Sequence, residues 1–397
     1  MPDTKTLKPG WKIWRFDQMA TNVNVRIDNP SESGMEHYVG LEHLDSNSLK
    51  IRRWGTPDDV EATKLMFKKG DIIFGRRRAY QRKLGVAEFD GICSAHAMVL
   101  RARPEVVVPE FLPFFMQSDI FMKRAVEISV GSLSPTINWT ALAAQQFELP
   151  GLAEQRKLAS SLGAIVDSVE KLREANTASE TLYERLVLEL FAPRRENYRD
   201  SDPLSVFPTT WPTLTMEELS RTEAPICYGI VQVGEHDPTG IPTVQIKDLD
   251  GDFSGALHRT NEGIESGFSR SRIEPGDVLI SVKAIVGDVA RVPGHFRGNI
   301  SRDIARIRPG PGIISDYLVH LLRSAPYRRY MQKYVVGSTR DELSIGTLKK
   351  LRVPCPGMKE QESVVALLDE AKLSSARMVE RVHLARELAV RFLDEAL

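Results

Sequence analysis

Apolar and polar positions alternate with a strict helical spacing through residues 154–190 of this chain. Apolar or small side chains recur there at alternating intervals of four and three residues, with mostly polar residues between them. Such a heptad seam predicts a long α-helix that packs against a second long helix, with a length of roughly 55 Å at 1.5 Å per residue. The predicted seam consists of Leu158, Leu162, Ile165, Val169, Leu172, Asn176, Ser179, Tyr183, Leu186 and Leu190.

A second seam with the same spacing lies 206 residues further along the sequence. Its positions are Val364, Leu368, Ala371, Ser375, Met378, Val382, Ala385, Ala389, Phe392 and Ala396. We therefore expect the partner helix in the same polypeptide. Because each helix follows its own domain, a parallel pair would force the polar linker of residues 194–203 back along the whole first helix. An antiparallel pair with one domain at each end of a rod is the favoured arrangement.

The same offset of 206 residues holds upstream of both helices, which indicates an internal duplication. The clearest matches join residues 70–73 (GDII) to 276–279 (GDVL), 130–132 (VGS) to 336–338 (VGS), and 154–155 (EQ) to 360–361 (EQ). The order is therefore domain, helix, domain, helix.

Short apolar runs bounded by Gly, Pro and Asn predict strands in the first part of each repeat, and amphipathic stretches that start at Pro109 and Ser315 predict helices later in it. The predicted class is α+β, with two tandem mixed α/β domains separated by two long coiled-coil helices related by a pseudo-two-fold axis. The predicted bounds are 1–151 for the first domain, 152–192 for its helix, 193–357 for the second domain and 358–397 for its helix.

Composition alone does not indicate a nucleic-acid partner, since 53 Lys and Arg balance 53 Asp and Glu. The basic residues cluster locally, however, in residues 68–83. Three isolated cysteines, Cys93, Cys227 and Cys355, predict neither a disulfide framework nor a zinc site. Without an apolar run of about 18 residues or a secretory leader, we expect a cytoplasmic protein.

The stretch GRRRAYQRKLG, residues 75–85, has the composition of a DNA-reading loop. Arginine side chains form paired hydrogen bonds with phosphates and with guanine, and glutamine can hydrogen-bond the edge of adenine. The Tyr80 ring can stack on a base or pack against the protein. The alternative is a solvated strand and loop. In the second copy, residues 281–292 keep only Lys283 of the basic run. Recognition of a different DNA half-site would require such a difference, but ordinary sequence drift would also produce it. The candidate DNA contacts are Arg76, Arg77, Arg78, Gln81, Arg82, Lys83, Lys283 and Arg302.

Motifs for nucleotide, metal or nucleophile chemistry are missing from the sequence. It contains no GxxxxGK[ST], GxGxxG, HExxH or GxSxG pattern. His96 and His295 are isolated, and a lone histidine is more often a surface or core residue than a general base. We therefore expect no catalysis, cofactor or metal in this chain.

Three repeated motifs carry a family resemblance: residues 70–74, residues 131–138, and residues 149–156 leading into the first helix, with counterparts at 276–277, 337–338 and 354–361. Through them the chain resembles the specificity subunits of type I restriction-modification systems over nearly its whole length. The second copy departs from the pattern at Arg340, Asp341, Glu342 and Leu343, where the first has Ser134, Pro135, Thr136 and Ile137.

The resemblance implies that each domain is a target recognition domain for one half of a split sequence in double-stranded DNA. It implies that the helices act as spacer and as docking surface for two methyltransferase subunits, joined by restriction and translocase subunits. It also implies a non-catalytic chain, with S-adenosylmethionine, ATP and Mg²⁺ used on other subunits. Two other classes stay open: a coiled-coil scaffold that binds only proteins, and an enzyme with an unfamiliar site. Salt-dependent binding to duplex DNA would separate the first of these from a DNA reader.

Overall fold

The computed structural model describes residues 7–193, 196, 199–251, 253–337 and 341–396. Contacts divide the chain into two compact units: one runs to Glu174 and includes the chain from Val379, and the other is Ala175–Met378. Each unit contains strands and helices, and the α+β class is confirmed. The expectations at Ser338 and Arg340, and those for part of the linker, lie outside the described residues.

In its described residues, the first unit contains ten short strands and four short α-helices before a long one. Its strands are β1 Lys12–Arg15, β2 Ala20–Val23, β3 Arg26–Ile27, β4 Tyr38–Val39, β5 Lys64–Phe67, β6 Ile72–Gly75, β7 Leu84–Val86, β8 Gly91–Ser94, β9 Ala97–Ala102 and β10 Gln146–Leu149. Its helices are α1 Phe16–Met19, α2 Leu112–Gln117, α3 Asp119–Glu127, α4 Trp139–Ala143 and the first half of α5 Leu152–Phe191.

The second unit has a similar order of elements. Its strands are β11 Thr213–Thr215, β12 Cys227–Tyr228, β13 Ile241–Val244, β14 His258–Thr260, β15 Val278–Ser281, β16 Lys283–Ala284, β17 Val289–Arg291, β18 Asn299–Ile300, β19 Ile304–Ile307, β20 Asp341–Glu342 and β21 Arg352–Pro354. Its helices are α6 Glu262–Glu265, α7 Ser315–Arg323, α8 Ala325–Gln332, α9 Ile345–Lys350 and the first half of α10 Met358–Ala396.

Strand β6 of the first unit is buried on both faces, which explains its continuous apolar sequence. Ile72 and Phe74 point into one apolar cluster, and Ile73 points into another. Strand β6 lies inside the sheet β2-β9-β6-β7, and a second sheet has the order β3-β5-β8-β4. In the second unit, the matching sheet has the order β12-β19-β15-β17, and its strand β15 likewise divides its side chains between two clusters.

The Gly-Asp motif before this strand has a structural role. Asp71 is almost fully buried and accepts two hydrogen bonds from Arg101, at 2.7 and 2.8 Å. Asp277 accepts the same pair of bonds from Arg308 at 2.7 and 2.8 Å. The preceding Gly70 has a positive φ of 90°, which glycine adopts without steric cost. The motif therefore holds a turn and a strand rather than a ligand.

The Glu-Gln motif at the start of each long helix also proves structural. Gln155 accepts a hydrogen bond from the Val108 amide at 2.8 Å and donates to the Pro150 carbonyl at 2.9 Å. Gln361 accepts from the Ile314 amide and donates to the Pro356 carbonyl, both at 2.8 Å. Each buried glutamine thus fixes its helix to the domain that precedes it.

The long helices run antiparallel within the second unit. The Ser375 hydroxyl donates to the Asn176 side-chain oxygen at 3.3 Å. Further along α5, Val187 and Phe191 share an apolar cluster with Val364 and Leu368, which come earlier in α10. Since rising numbers in α5 meet falling numbers in α10, the two helices run in opposite directions there.

Most predicted seam positions are shielded from solvent. The following are buried or half-buried: Leu158, Leu162, Ile165, Val169, Leu172, Leu186, Val364, Leu368, Met378 and Val382. The prediction at Phe392 is wrong, because that ring is 38% exposed while Leu393 is 6% exposed. A straight α-helix drifts by about 20° per heptad against a repeat of 3.5 residues, so the packed face moves onto the next residue after several heptads.

Candidate nucleic-acid interface

Residues 76–83, which follow strand β6 and which we call the arginine loop, pack against residues 130–136 of the same unit. Arg77 and Thr136 form a β-bridge, and the Ile137 amide donates to the Arg76 carbonyl at 2.9 Å. The second unit repeats this pairing, since Lys283 pairs with Glu342 and Ala284 with Asp341 in strands β16 and β20. The two copies therefore present the same backbone surface with different side chains.

Arg78 shows how closely the two backbones agree. It has a positive φ of 57°, and Ala284, which lies 206 residues later, has a φ of 62°. Positive φ is uncommon for residues with a β-carbon. Two such residues at equivalent positions indicate that the duplication preserved a specific bend in this loop.

Arg77 and Arg78 are the exposed arginines of this loop in the first unit. The Arg77 Nε donates to the Ser134 hydroxyl at 2.7 Å, which leaves the rest of its guanidinium facing solvent. The Arg78 backbone amide donates to the Pro135 carbonyl at 2.8 Å, and its side chain has no acidic partner within the described residues. Tyr80 is 56% exposed beside them.

Arg82 and Lys83 contact the fold itself. One Arg82 amino group donates to Asp119 at 2.6 Å and the other to the Gln117 carbonyl, and this bonding lowers the pKa of Asp119. Lys83 Nζ donates to the Leu41 carbonyl at 2.8 Å. The half-buried Gln81 closes the turn through its amide, which donates to the Arg78 carbonyl at 2.9 Å. The side chains of Arg82 and Lys83 therefore help to hold the loop in place, and contact of the six candidates with DNA stays a prediction.

Arg76 is only partly accessible. Its Nη2 donates to the Ala95 carbonyl at 3.1 Å, and its buried Nε has no hydrogen-bond partner among the described residues. It lines a cavity of about 260 Å³ with no carboxylate among the described lining residues. The lining consists of Asn22, Asn24, Arg26, Thr63, Leu65, Arg76, Ala95, Ala97, Met98 and Trp139. Asparagine and arginine are side chains that read base edges in DNA.

The basic candidates of the second unit have acidic neighbours. Lys283 Nζ lies 3.2 Å from Glu342, and Arg302 Nε lies 3.7 Å from Asp303. The first unit has Arg77 and Thr136 at the positions of Lys283 and Glu342. The positive potential at this loop is therefore stronger in the first unit.

His96 occupies the position equivalent to Arg302, 206 residues earlier. The His96 side chain is exposed, but partial desolvation by the loop lowers its pKa, and the charges of Arg77, Arg76 and Lys64 lower it further. The imidazole is therefore neutral at physiological pH and sits beside the arginine loop. The sequence analysis considered His96 only as a general base, although its 206-residue offset from Arg302 was a signal for this position. It did not single out the cavity residues Asn22, Asn24 and Arg26.

The potential metal ligands and the cysteines of the described residues do not form a cluster. No three His, Cys, Asp or Glu side chains cluster there as metal ligands would. Cys93 and Cys355 are buried free thiols, and Cys227 is a half-buried one. None of the described helices is long and apolar enough to cross a membrane.

Comparison with known proteins identifies relatives. Residues 235–373 match the family model of the type I restriction modification DNA specificity domain. The chain is 27% identical to the type I restriction enzyme EcoBI specificity subunit of Escherichia coli over 241 residues, which is 56% of this chain and 50% of that one. It therefore spans about half the length of this curated relative.

Solved structures share the fold over the whole chain. The type I restriction-modification system S subunit from M. genitalium is 13% identical, with 100% of this chain and 98% of that one covered and a TM-score of 0.59. A chain solved in work on complex assembly and conformational transition of the type I R-M system is 24% identical, with 98% of both chains covered and a TM-score of 0.60. The resemblance of this chain to the specificity subunits of type I restriction-modification systems, which its repeated motifs indicated, is thereby confirmed.

Proposed function

We propose that this chain is a DNA specificity subunit that recognises a bipartite target, with one half-site read by each unit. The observation that carries the proposal is the repeated loop. Arg76, Arg77 and Arg78 in the first unit are replaced by Val282, Lys283 and Ala284 in the second, on a backbone that keeps the same pairing and the same positive φ. A shared backbone with different side chains suits two sites that bind one kind of polymer and read different sequences.

Electrostatics supports DNA as that polymer for the first unit. Arg77 and Arg78 are exposed, and the sequence from Ile128 to Asn138, which packs beside them, contains no acidic residue. Arginine recognises phosphate and guanine through paired N–H groups, and each phosphate contact makes binding weaken with salt.

Duplex binding at several salt concentrations tests the proposal. We expect the purified chain to bind a fluorescent duplex in anisotropy measurements. The logarithm of its association constant should fall linearly with the logarithm of the salt concentration. A scaffold that binds only proteins would not shift the anisotropy at low salt, and that result would overturn the proposal.

We further propose that other subunits of a restriction system dock on the long helices. Leu384 and Leu388 are one helical turn apart on α10 and are 49% and 62% exposed. Adjacent exposed leucines are typical of a surface that a protein partner covers. The partners proposed are two methyltransferase subunits and the restriction subunits. Co-purification with such a methyltransferase subunit should be lost in the Leu384→Ser and Leu388→Ser double variant. It should be kept in the Leu214→Ser variant, which changes an exposed leucine on strand β11, outside the long helices.

Catalysis is proposed to lie in those partners, which would use S-adenosylmethionine, ATP and Mg²⁺. The chain alone is expected neither to methylate nor to cleave DNA. Transfer of labelled methyl groups to DNA by the purified single chain would contradict this division of work.

A further inference from the structure

Leu133 is the most exposed large apolar side chain in the described part of the chain, at 92%. It stands at the tip of the loop between Val130 and Thr136, which we call the tip loop. Val130 at its base is 71% exposed. An apolar side chain with this exposure is almost fully hydrated, so its burial against a partner is energetically favourable.

The tip loop is held in place rather than free to fold back. Its base is closed by two hydrogen bonds between the backbones of Val130 and Thr136, at 3.0 and 2.9 Å. Its far side is fixed to the arginine loop, where the Arg78 amide donates to the Pro135 carbonyl at 2.8 Å and Arg77 donates to the Ser134 hydroxyl at 2.7 Å. The proline also restricts its own φ. Leu133 is therefore presented on a preorganised support.

The charge around Leu133 indicates what covers it. The two exposed arginines, Arg77 and Arg78, belong to the loop that supports it, and no acidic residue lies between Ile128 and Asn138. A partner must therefore combine negative charge with an apolar slot. Duplex DNA does so, because its phosphates flank a stack of aromatic bases and apolar side chains can enter between base steps.

We propose that Leu133 inserts between two base pairs of the half-site read by the first unit and partly unstacks them. The inference rests on the proposed DNA binding and adds a way to read deformability, because pyrimidine–purine steps separate at lower energetic cost than others. Arg77 and Arg78 place positive charge beside the opened step, where it attracts the flanking phosphates. Leu133 acts as this wedge at one half-site only. The second copy has Thr339 at the equivalent position in the sequence, outside the described residues.

The test uses the full chain and the duplex that it enriches from a random pool, prepared as a series with one base at a time replaced by 2-aminopurine. This base fluoresces more strongly when it is unstacked. We expect the wild-type chain at saturation to raise the fluorescence at one step of one half-site. Leu133→Ala should lose that rise, and Leu133→Phe should keep it.

Two controls make the result specific. Val126→Ala changes a side chain that is 43% exposed on α3 of the same unit, and it should keep the full rise. Thermal unfolding of Leu133→Ala should match the wild type, since the exposed side chain adds little to the core. An undiminished rise with Leu133→Ala, or no rise with the wild type bound at saturation, would overturn the wedge and leave the DNA-binding function intact. Absence of any duplex binding would overturn both.

Discussion

At the scale of single residues, the arginine loop divides into side chains that face solvent and side chains that hold the loop. We predict that Arg77→Ala and Arg78→Ala each weaken duplex binding, by roughly 1–3 kcal/mol on the preferred sequence where the arginine reads a base. If the arginine contacts a phosphate instead, the variant should bind all sequences more weakly by the same factor. The slope of log affinity against log salt concentration should then decrease in magnitude by about 1. Anisotropy titrations at several salt concentrations separate the two cases.

The matched control for these variants is Arg124→Ala, which removes an exposed arginine from α3 of the same unit, where it pairs with Glu127 at 3.2 Å. It should leave both the affinity and the salt slope unchanged. Equal effects from Arg124 and Arg78 would mean that the loop contributes only general charge.

His320 gives a pH-dependent contribution to stability. It is 4% exposed, Tyr183 lies 3.3 Å from its Nδ1, and Asp369 lies 2.8 Å from its Nε2. Burial lowers its pKa, the Asp369 carboxylate opposes this with a smaller effect, and Lys372 and Arg323 add to the lowering. The folded protein therefore holds a neutral imidazole, while the unfolded chain takes up a proton below about pH 6.5. This part of the stability is complete above that pH and is lost as the pH falls below it.

We predict that His320→Phe flattens the fall in unfolding free energy between about pH 7.5 and pH 5.5. Phenylalanine is compatible with the site, since Phe114 occupies the equivalent position of the first copy. Urea denaturation at the two pH values measures the slope, and the exposed His295→Gln variant serves as control. An unchanged slope in His320→Phe would assign the pH dependence to other groups.

At the scale of elements, the buried glutamines link each long helix to its domain. We predict that Gln361→Ala lowers the free energy of unfolding by about 1–3 kcal/mol, because the Ile314 amide and the Pro356 carbonyl lose a buried partner. The exposed neighbour Glu362→Ala should have little effect. Equal denaturation midpoints for the two variants would contradict the link.

The sequence predicted both long helices because their heptads repeat over many turns, and it predicted the α+β class from strand and helix patterns in each repeat. It could not predict the hydrogen bond between Arg82 and Asp119, because these residues are 37 positions apart and only the tertiary fold brings them together. It also missed the shift from Phe392 to Leu393, which arises from accumulated helical drift. The role of Leu133 depends on exposure, which no local pattern reveals. The four-part domain division stays a prediction.

At the scale of the whole molecule, the helices are proposed to set the distance between the half-sites. Insertion of seven residues after Leu172 and after Met378 preserves both seams and adds roughly 10 Å, or about three base pairs at 3.4 Å each. We predict that the unspecified gap in the target widens by that amount while the half-site bases stay the same. An insertion in one helix alone should instead disrupt the pairing. An altered half-site with an unchanged gap would show that the helices are not the spacer.

Selection of bound duplexes from a random pool by the purified full chain tests the central claim most directly. A subunit with two reading units should enrich two short specified sequences separated by a gap of constant length and free composition. Arg78→Ala should relax the specified bases of one half, and Lys283→Ala those of the other half. Enrichment of a single uninterrupted sequence, or of none, would contradict the account.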